Sequence, residues 1–336
     1  MASPDSVANL AFLGDIMLGR LVSDEIARRP PEHVWGTTRP LLQEADSVLG
    51  NLECAITIHK TPWSRTPKVF HFGAVPRAID VLRAGNVRYV SLANNHILDF
   101  EEAGLTDTIA HLDRAGILHA GAGADRAAAA APAMLNVGGL AIGIISMTDN
   151  EPPFAAGPDR TGTYYAPIGT GPEILGPLDR SIAGLRGAGA ALIVLSIHWG
   201  PNMVTAPPDH FRAFAHAVVD LGVDIVHGHS AHLFQGVEVR NDRLILYDTG
   251  NFIDDYAVDR VLRNDWSFVF RVEADETGPI RLRMAPVRLD FAEVNLATDG
   301  EFEAICDRME SLSAPFGTRL KRTDQGLELA IRPADQ

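Results

Sequence analysis

Residues able to bind a divalent metal stand at the ends of apolar runs in this chain. They are Asp15, Glu53, Asn95, His198, His229 and His232, with Asn51 and His96 beside two of them. Imidazole, carboxylate and amide oxygen together suit Mn, Zn, Fe, Co or Ni better than a metal that prefers thiolates. A carboxylate can bridge two such ions. A pair of ions roughly 3.5–4 Å apart can clamp an oxyanion and lower the pKa of a bound water. The set therefore points to one or two divalent metals used for chemistry. Each residue also has a plainer reading. Asp15 could cap a following helix, Asn95 and His96 could satisfy loop backbone, and His198 could be a half-buried structural histidine. Glu53 could simply be solvated.

The elements that must position these residues alternate between strand and helix. Val7–Leu13 reads as a strand ending at Gly14-Asp15, Asp46–Gly50 as one ending at Asn51, and Val87–Leu92 as one ending at Asn94-Asn95-His96. Ala190–Ile197 is a buried strand ending at His198-Trp199, and Val223–Val226 one ending at His227-Gly228-His229. Helices are expected over Pro76–Ala84, Glu101–Ala115, Pro172–Gly187, Pro208–Leu221 and Glu301–Leu312. Hairpins are expected around Gly138-Gly139 and Asn241-Asp242, and two more strands over Trp266–Val272 and Ile280–Pro286. Thr148–Pro172 reads as a long loop, a usual place for substrate contact. Alternating strands and helices imply an α/β fold. In open α/β sheets ligands bind beyond the carboxyl ends of strands, which is where five separate runs place their metal-binding types. One domain over residues 1–336 is expected, with a core over about 7–290 and a C-terminal helix and loosely ordered tail over 300–336.

Composition narrows the function classes. The 336 residues carry a net charge of −14, from 43 acidic and 29 basic side chains. That argues against nucleic acid, where Lys and Arg neutralise phosphates, and against docking on an anionic membrane. No run approaches the roughly 18–20 apolar residues that span a bilayer, and no secretory leader pattern opens the chain. A cytoplasmic protein without a membrane anchor is expected. Cys54 and Cys306 make no metal-type spacing and no disulfide scaffold, and leave room for a single bridge at most.

The order and wording of the motifs resemble the CapA family, the poly-γ-glutamate capsule biosynthesis branch of the calcineurin-like metallophosphoesterase superfamily. The motifs are Gly14-Asp15-Ile16-Met17-Leu18-Gly19, Gly50-Asn51-Leu52-Glu53, Leu92-Ala93-Asn94-Asn95-His96, Ile197-His198-Trp199-Gly200, Gly228-His229-Ser230-Ala231-His232 and Thr249-Gly250-Asn251-Phe252. The resemblance covers roughly residues 7 to 255. It implies a metallophosphoesterase-like sandwich of two mixed β-sheets flanked by helices. It implies Asp15 as the first-strand metal carboxylate, Glu53 in the bridging place, and Asn95 as the amide ligand. Asn95, His198 and His229 would furnish one metal position; Asp15 and His232 would furnish the other, with Glu53 between. His96 would be the catalytic acid or the oxyanion contact, and Asp99 would orient its ring or cap a helix. Asn51, Arg20, Lys68, Trp199 and Asn251 are candidate substrate contacts, and His227 a candidate support behind the metal. Two positions depart from the superfamily pattern. Met17 stands where a first-strand histidine is usual, and the last motif is His-x-x-His, one residue longer than His-x-His.

Three functions are compatible with these residues. The first is a metal-dependent enzyme acting on a peptide or polyglutamate-like substrate that bears a carboxylate, by epimerisation at a C-terminal α-carbon or by amide hydrolysis. The second is a metal-dependent phosphoesterase. The third is a non-catalytic partner in capsule synthesis.

Overall fold

The computed structural model describes residues 7–332. The chain forms a sandwich of two mixed sheets, with helices against both outer faces. The larger sheet holds three neighbouring parallel strands, β1 (Ala8–Ile16), β2 (Ser47–Leu52) and β3 (Val87–Ser91). On the other side of β1 run the antiparallel strands Trp266–Asp275 and Gly278–Asp290. The smaller sheet centres on the parallel strands β4 (Leu192–His198) and β5 (Ile225–His229), with Leu140–Thr148 beside β4. Short β6 (Asn251–Ile253) returns to the larger sheet and pairs parallel with the end of β1. The hairpins at Gly138-Gly139 and Asn241-Asp242 form as expected, and all four turn residues have positive φ, as type I′ turns require.

Period-two alternation decides which side chains meet between the sheets. Leu10, Phe12, Leu49 and Tyr89 of the larger sheet pack against Ile142, Ile144, Leu192, Val194 and Ile225 of the smaller one. The intervening Ala11, Leu13, Val48 and Val90 face helices Arg20–Arg28, Ala78–Ala84 and Glu101–Ala115. Ile193, Leu195 and Val226 likewise face helices Pro172–Gly187 and Asp209–Asp220. Helix Asp299–Ser313 closes the seam between the sheets with Ile305, Cys306 and Met309. Carried toward the strand ends, the same alternation turns the seam polar. Val194 gives way to Ser196 and His198, Ile225 to His227 and His229, and Leu49 to Asn51.

β1 breaks this parity. Phe12 pairs with Leu49, yet Asp15 pairs with Asn51, so β1 carries one extra residue between those points. Such a bulge reverses which face the following residue takes. Without it Asp15 would share the outward face of Ala11 and Leu13; with it, Asp15 meets Asn51 inside. Gly14 sits in the bulge under the Gly250 carbonyl, and a Cβ there would lie 1.8 Å from that oxygen. His227 Nε2 donates to the Leu13 carbonyl in the same bulge at 2.9 Å, a bond from one sheet to the other.

One expectation is corrected. The stretch from about 322 is not loosely ordered: Lys321–Thr323 and Gly326–Ala330 form a hairpin on the edge of the larger sheet, and residues 333–336 lie outside the described residues. Leu327 and Leu329 alternate into the inter-sheet core, a two-residue pattern easily hidden by the polar turn before it. The Ala-rich run Ala127–Ala131 is regular structure over most of its length. It is the short helix Arg126–Ala130, capped by Asp125, whose carboxylate accepts from Ala128 N. Cys54 and Cys306 are both buried and free, so no bridge forms. Among the described residues no helix is long and apolar enough to cross a membrane.

Substitutions in the tail and in the bulge test this packing. Leu327→Ala should cost about 2–5 kcal/mol in urea unfolding, as for other buried leucines; a loss near zero would mean the tail is not part of the core. Gly14→Ala should prevent folding or lower the melting temperature strongly, whereas Gly184→Ala, inside a helix where a Cβ meets nothing, should not lower it.

Candidate metal centre

Asp15 is the hub of the site. Its Oδ1 lies 3.8 Å from His198 Nδ1 and 3.9 Å from His229 Nδ1, and those two nitrogens are 3.0 Å apart. Its Oδ2 lies 3.4 Å from His232 Nδ1 and has no hydrogen-bond partner. Ligand atoms fall into two groups within 4.8 Å, one of Asp15, His198 and His229 and one of Asp15, Glu53 and His232. The dimensions fit a metal. Atoms bound about 2.1 Å from one ion at angles of roughly 90–130° lie about 3.0–3.8 Å apart, close to the 3.0, 3.8 and 3.9 Å of the first group. Buried acceptors left without partners point the same way. Asp15 Oδ2, Glu53 Oε1 and Asn95 Oδ1 are all orphaned, and such atoms are costly unless an ion or water meets them.

Electrostatics separates the two groups. Burial drives the His198 imidazole down to about 3 and the His229 imidazole well below its ordinary value, so both rings are neutral with a lone pair free. His229 Nε2 faces Ser196 Oγ at 3.1 Å, which can fix the tautomer that leaves Nδ1 bare. His232 is different. Burial pulls its pKa down, but the facing Asp15 carboxylate and the charge of Glu53 raise it to about 10. Burial also raises Glu53 well above its ordinary range, and the Asp15 charge adds to this. The second group is thus a proton-rich cluster that a cation would empty.

The loop of the last motif is held in an uncommon shape. Ser230 and His232 both have positive φ, rare for residues other than glycine and asparagine. This left-handed path takes up the extra residue of His-x-x-His. The Asp248 carboxylate supports it by accepting from Ala231 N and Gly250 N, each at 2.8 Å. Asn251 Oδ1 lies 2.8 Å from His232 Nδ1 and orients that ring.

The structure redistributes several expected roles. Asp15, rather than Glu53, is the carboxylate common to both groups. The amide touching Asp15 is Asn51, whose Nδ2 donates to Asp15 Oδ1 at 2.8 Å and lies 3.3 Å from His198 Nδ1. Asn95 keeps its side-chain oxygen buried and unpartnered, while its carbonyl accepts from Lys68 Nζ at 2.6 Å. Asp15 lies within β1 and caps nothing, since the next helix follows Gly19. Met17 is turned into the outer core, its sulfur accepting from Gly19 N. Trp199 is not brought to the site: its ring stacks on Phe211 and its N–H donates to the Tyr247 carbonyl. Arg20 pairs with Asp255 and lies over the rings of Phe70, Phe72 and Tyr256. Lys68 is nearly buried among Asn95, Glu151 and Asp99, a clamp on the Asn95-His96 turn.

His96 and Asp99 form a tight pair, Nδ1 to Oδ2 at 2.6 Å, and Phe72 N donates to the same oxygen. Phe72 also stacks on the His96 ring with centroids 3.8 Å apart. Tyr256 Oη lies 3.3 Å from Glu53 Oε2, and its ring meets His232 edge-on. Sequence reasoning misses Phe72, Asp248 and Tyr256 as members of this site. Of the three, only Asp248 carries a signal, its place at a strand end.

Residues 9–256 match the family described as bacterial capsule synthesis protein PGA_cap. This chain belongs to that family. The matched stretch runs from β1 to Tyr256 and so contains every residue of both ligand groups. A Mycobacterium tuberculosis protein described as "Probable polyglutamine synthesis accessory protein" is 33% identical over 88% of this chain and 80% of its own length. "PGA biosynthesis protein CapA" of Bacillus subtilis is 28% identical over 86% and 73%. "Capsule biosynthesis protein CapA" of Bacillus anthracis is 29% identical over 73% and 59%. Among solved structures, the Haemophilus influenzae NAD nucleotidase gives a TM-score of 0.43 at 12% identity, over 91% of this chain and 56% of that one.

Metal stoichiometry tests the two PGA_cap ligand groups. Asp15→Ala should lose all bound metal in elemental analysis, while His229→Ala and His232→Ala should each lose a different share. Full metal in Asp15→Ala would refute the shared-carboxylate arrangement.

Proposed function

We propose that this PGA_cap protein is a divalent-metal-dependent enzyme acting on a peptide or polyglutamate-type chain that bears a carboxylate. The observation carrying the proposal is that Asp15 turns one oxygen to each ligand group, with the His96–Asp99 pair on the adjoining strand end. Asp15, His198 and His229 would hold one ion, and Asp15, Glu53 and His232 a second, with Asn95 Oδ1 a further donor. Such an ion polarises a carbonyl or carboxylate oxygen and lowers the pKa of a bound water. The protein's own part is proton handling. Asp99 accepts the Nδ1 proton of His96, which leaves Nε2 as the atom that takes or gives a proton. In epimerisation Nε2 removes an α-proton beside the held carboxylate, and a proton from water reaches the carbanion on the opposite face. In hydrolysis Nε2 takes a proton from the attacking water and passes it to the departing amine, whose C–N bond breaks. The names of the relatives, which speak of polyglutamine synthesis and capsule biosynthesis, support a chain of acidic or peptide units.

Two ligand groups sharing one carboxylate also favour a second reading, a phosphoesterase, in which His96 meets the leaving oxygen. The mycobacterial relative's description as an accessory protein supports a third, a non-catalytic role.

The deciding experiment measures bound metal in the protein as purified, then incubates candidate peptides and γ-glutamyl oligomers in deuterated water. Deuterium at one α-carbon indicates epimerisation, and a gain of one water indicates hydrolysis. Either activity should fall at least about a hundredfold in His96→Ala, in line with loss of a general acid–base group. Turnover of an aryl phosphate with Mn, absent in Asp15→Ala, would instead establish the phosphoesterase. Metal present with no turnover of any of these would overturn the enzyme reading.

A further inference from the structure

Large apolar side chains left in water are not scattered evenly over this surface. Among the described residues eight are strongly exposed, and five of these, Leu21, Val69, Phe70, Val258 and Phe291, are 49–85% exposed and belong to segments that meet at Arg20, Asp255 and Tyr256. Phe70, with Val69 before it in the chain, lies against the Arg20 guanidinium, whose carbon is 5.6 Å from the ring centroid. Leu21 follows Arg20, and its N–H donates to the same Asp255 oxygen that accepts from Arg20 Nε. Val258 and Phe291 border one depression together with Asp255 and Tyr256. Single exposed apolar side chains are ordinary, whereas a group of them in one place marks a surface that something covers.

This rim is continuous with the reacting groups. Phe70 meets Phe72 with ring centroids 6.5 Å apart, and Phe72 stacks on His96. Phe72 also meets Tyr256 at 5.8 Å, and Tyr256 meets His232 edge-on at 5.3 Å. Two ring contacts therefore lead from the exposed Phe70 to His96, and a chain whose reacting unit lies at His96 has the rim beside it. The rim offers little to a polyanion. Carboxylates are recognised by open guanidinium or ammonium groups, yet Arg20 is engaged by Asp255, and the nearly buried Lys68 by Glu151 and the Asn95 carbonyl. The net charge of −14 also repels a chain of carboxylates.

We propose that Leu21, Val69, Phe70, Val258 and Phe291 form a binding surface for apolar side chains of a peptide substrate, next to the unit that reaches His96. The occupant is a peptide with apolar residues near its reacting end rather than a polyglutamate chain. Removing those side chains from water supplies the affinity, and the carboxylate of the reacting unit is left to the metal centre. The inference deepens the enzyme reading given above by selecting the substrate class, and it rests on that reading for what happens at the reacting unit. The binding preference itself needs no turnover.

Calorimetric titration tests it with three probes of equal length and free C-terminus: a peptide with leucine and phenylalanine just before its last residue, the same peptide with serine at those positions, and a γ-glutamyl oligomer. The apolar peptide should bind at least about tenfold tighter than the serine peptide, as expected for burying one such side chain, and tighter than the oligomer. Phe70→Ser and Val258→Ser, both on the exposed rim, should each cut that preference severalfold while serine-peptide binding and the melting temperature stay close to those of the parent. Equal binding of the two peptides, tighter binding of the oligomer, or a preference unchanged in both variants would each overturn the proposal. A preference without turnover would support the surface and remove the enzyme reading; turnover of γ-glutamyl oligomers with equal peptide binding would do the reverse. In the absence of a peptide preference, binding to neutral phosphatidylcholine vesicles that Phe70→Ser abolishes would give the rim to a membrane. A dimer in sedimentation that the same variant abolishes would give it to a second copy, and either result overturns the proposal.

Discussion

The bulge at Leu13-Gly14 is the constraint on which the centre depends. Strand geometry alone would send the carboxylate of Asp15 outward, into a layer filled by Ile16, Met17 and Leu18. One inserted residue brings it inward, opposite Asn51 and against two imidazoles of the other sheet. The insertion is held from three sides. Glycine leaves room for the Gly250 carbonyl, Asp15 N donates to that same carbonyl, and His227 reaches across to the Leu13 carbonyl. His227 is therefore a tie between the sheets rather than a support behind the metal, and it acts at the bulge.

From that point the rest of the seam follows. Both sheets end their parallel strands on the same side, and both turn from aliphatic to polar side chains over the last two inward positions. The apolar part of the seam holds the sheets at a fixed spacing; the Tyr89–Ser146 hydrogen bond marks where it begins to change character. Past it, two sheets that are each hydrogen-bonded through their own backbones present opposing rows, Asn251, Asp15 and Asn51 facing Thr148, His198 and His229. A centre assembled across such a seam is rigid because neither row can move without disturbing a sheet. Its His198 and His229 rings are fully buried, which is why those imidazoles stay neutral and ready to donate.

Much of this is legible in the residues. The alternation of apolar runs and helices locates β1 to β5 to within a few positions, and the strand-end rule alone gathers Asp15, Glu53, His198, His229 and His232 into one place. The failures have physical causes. A bulge has no sequence mark beyond a glycine, so the exchange of roles between Glu53 and Asp15 leaves no trace there, nor does the arrival of Asn51 in contact with the carboxylate. Trp199 follows His198 directly, but neighbours on a strand face opposite sides, and its partners Phe211 and Tyr247 belong to the outer layer. The terminal hairpin escapes notice because Leu327 and Leu329 form too short an alternation to stand out against the polar turn before them. Phe72 and Tyr256 come from loops whose approach to His96 and Glu53 is set by tertiary packing alone.

The longer last motif shows how the chain departs from a simpler pattern without losing the centre. An added residue between two histidines on a strand end would swing the second ring away by roughly one strand step of about 3.3 Å. Placing Ser230 and His232 in left-handed conformations folds that length back, at a cost of order 1–3 kcal/mol for each such residue. The structure offsets this with a carboxylate, Asp248, that ties Ala231 of the loop to the neighbouring turn at Gly250, and with Asn251 at the ring itself. Strain supported this closely is characteristic of a loop whose position matters. The ring so placed is the one that shares Asp15 with the other group, so the left-handed turn and the β1 bulge are complementary devices. One brings the carboxylate in from the larger sheet, and the other brings a third histidine round to meet its free oxygen.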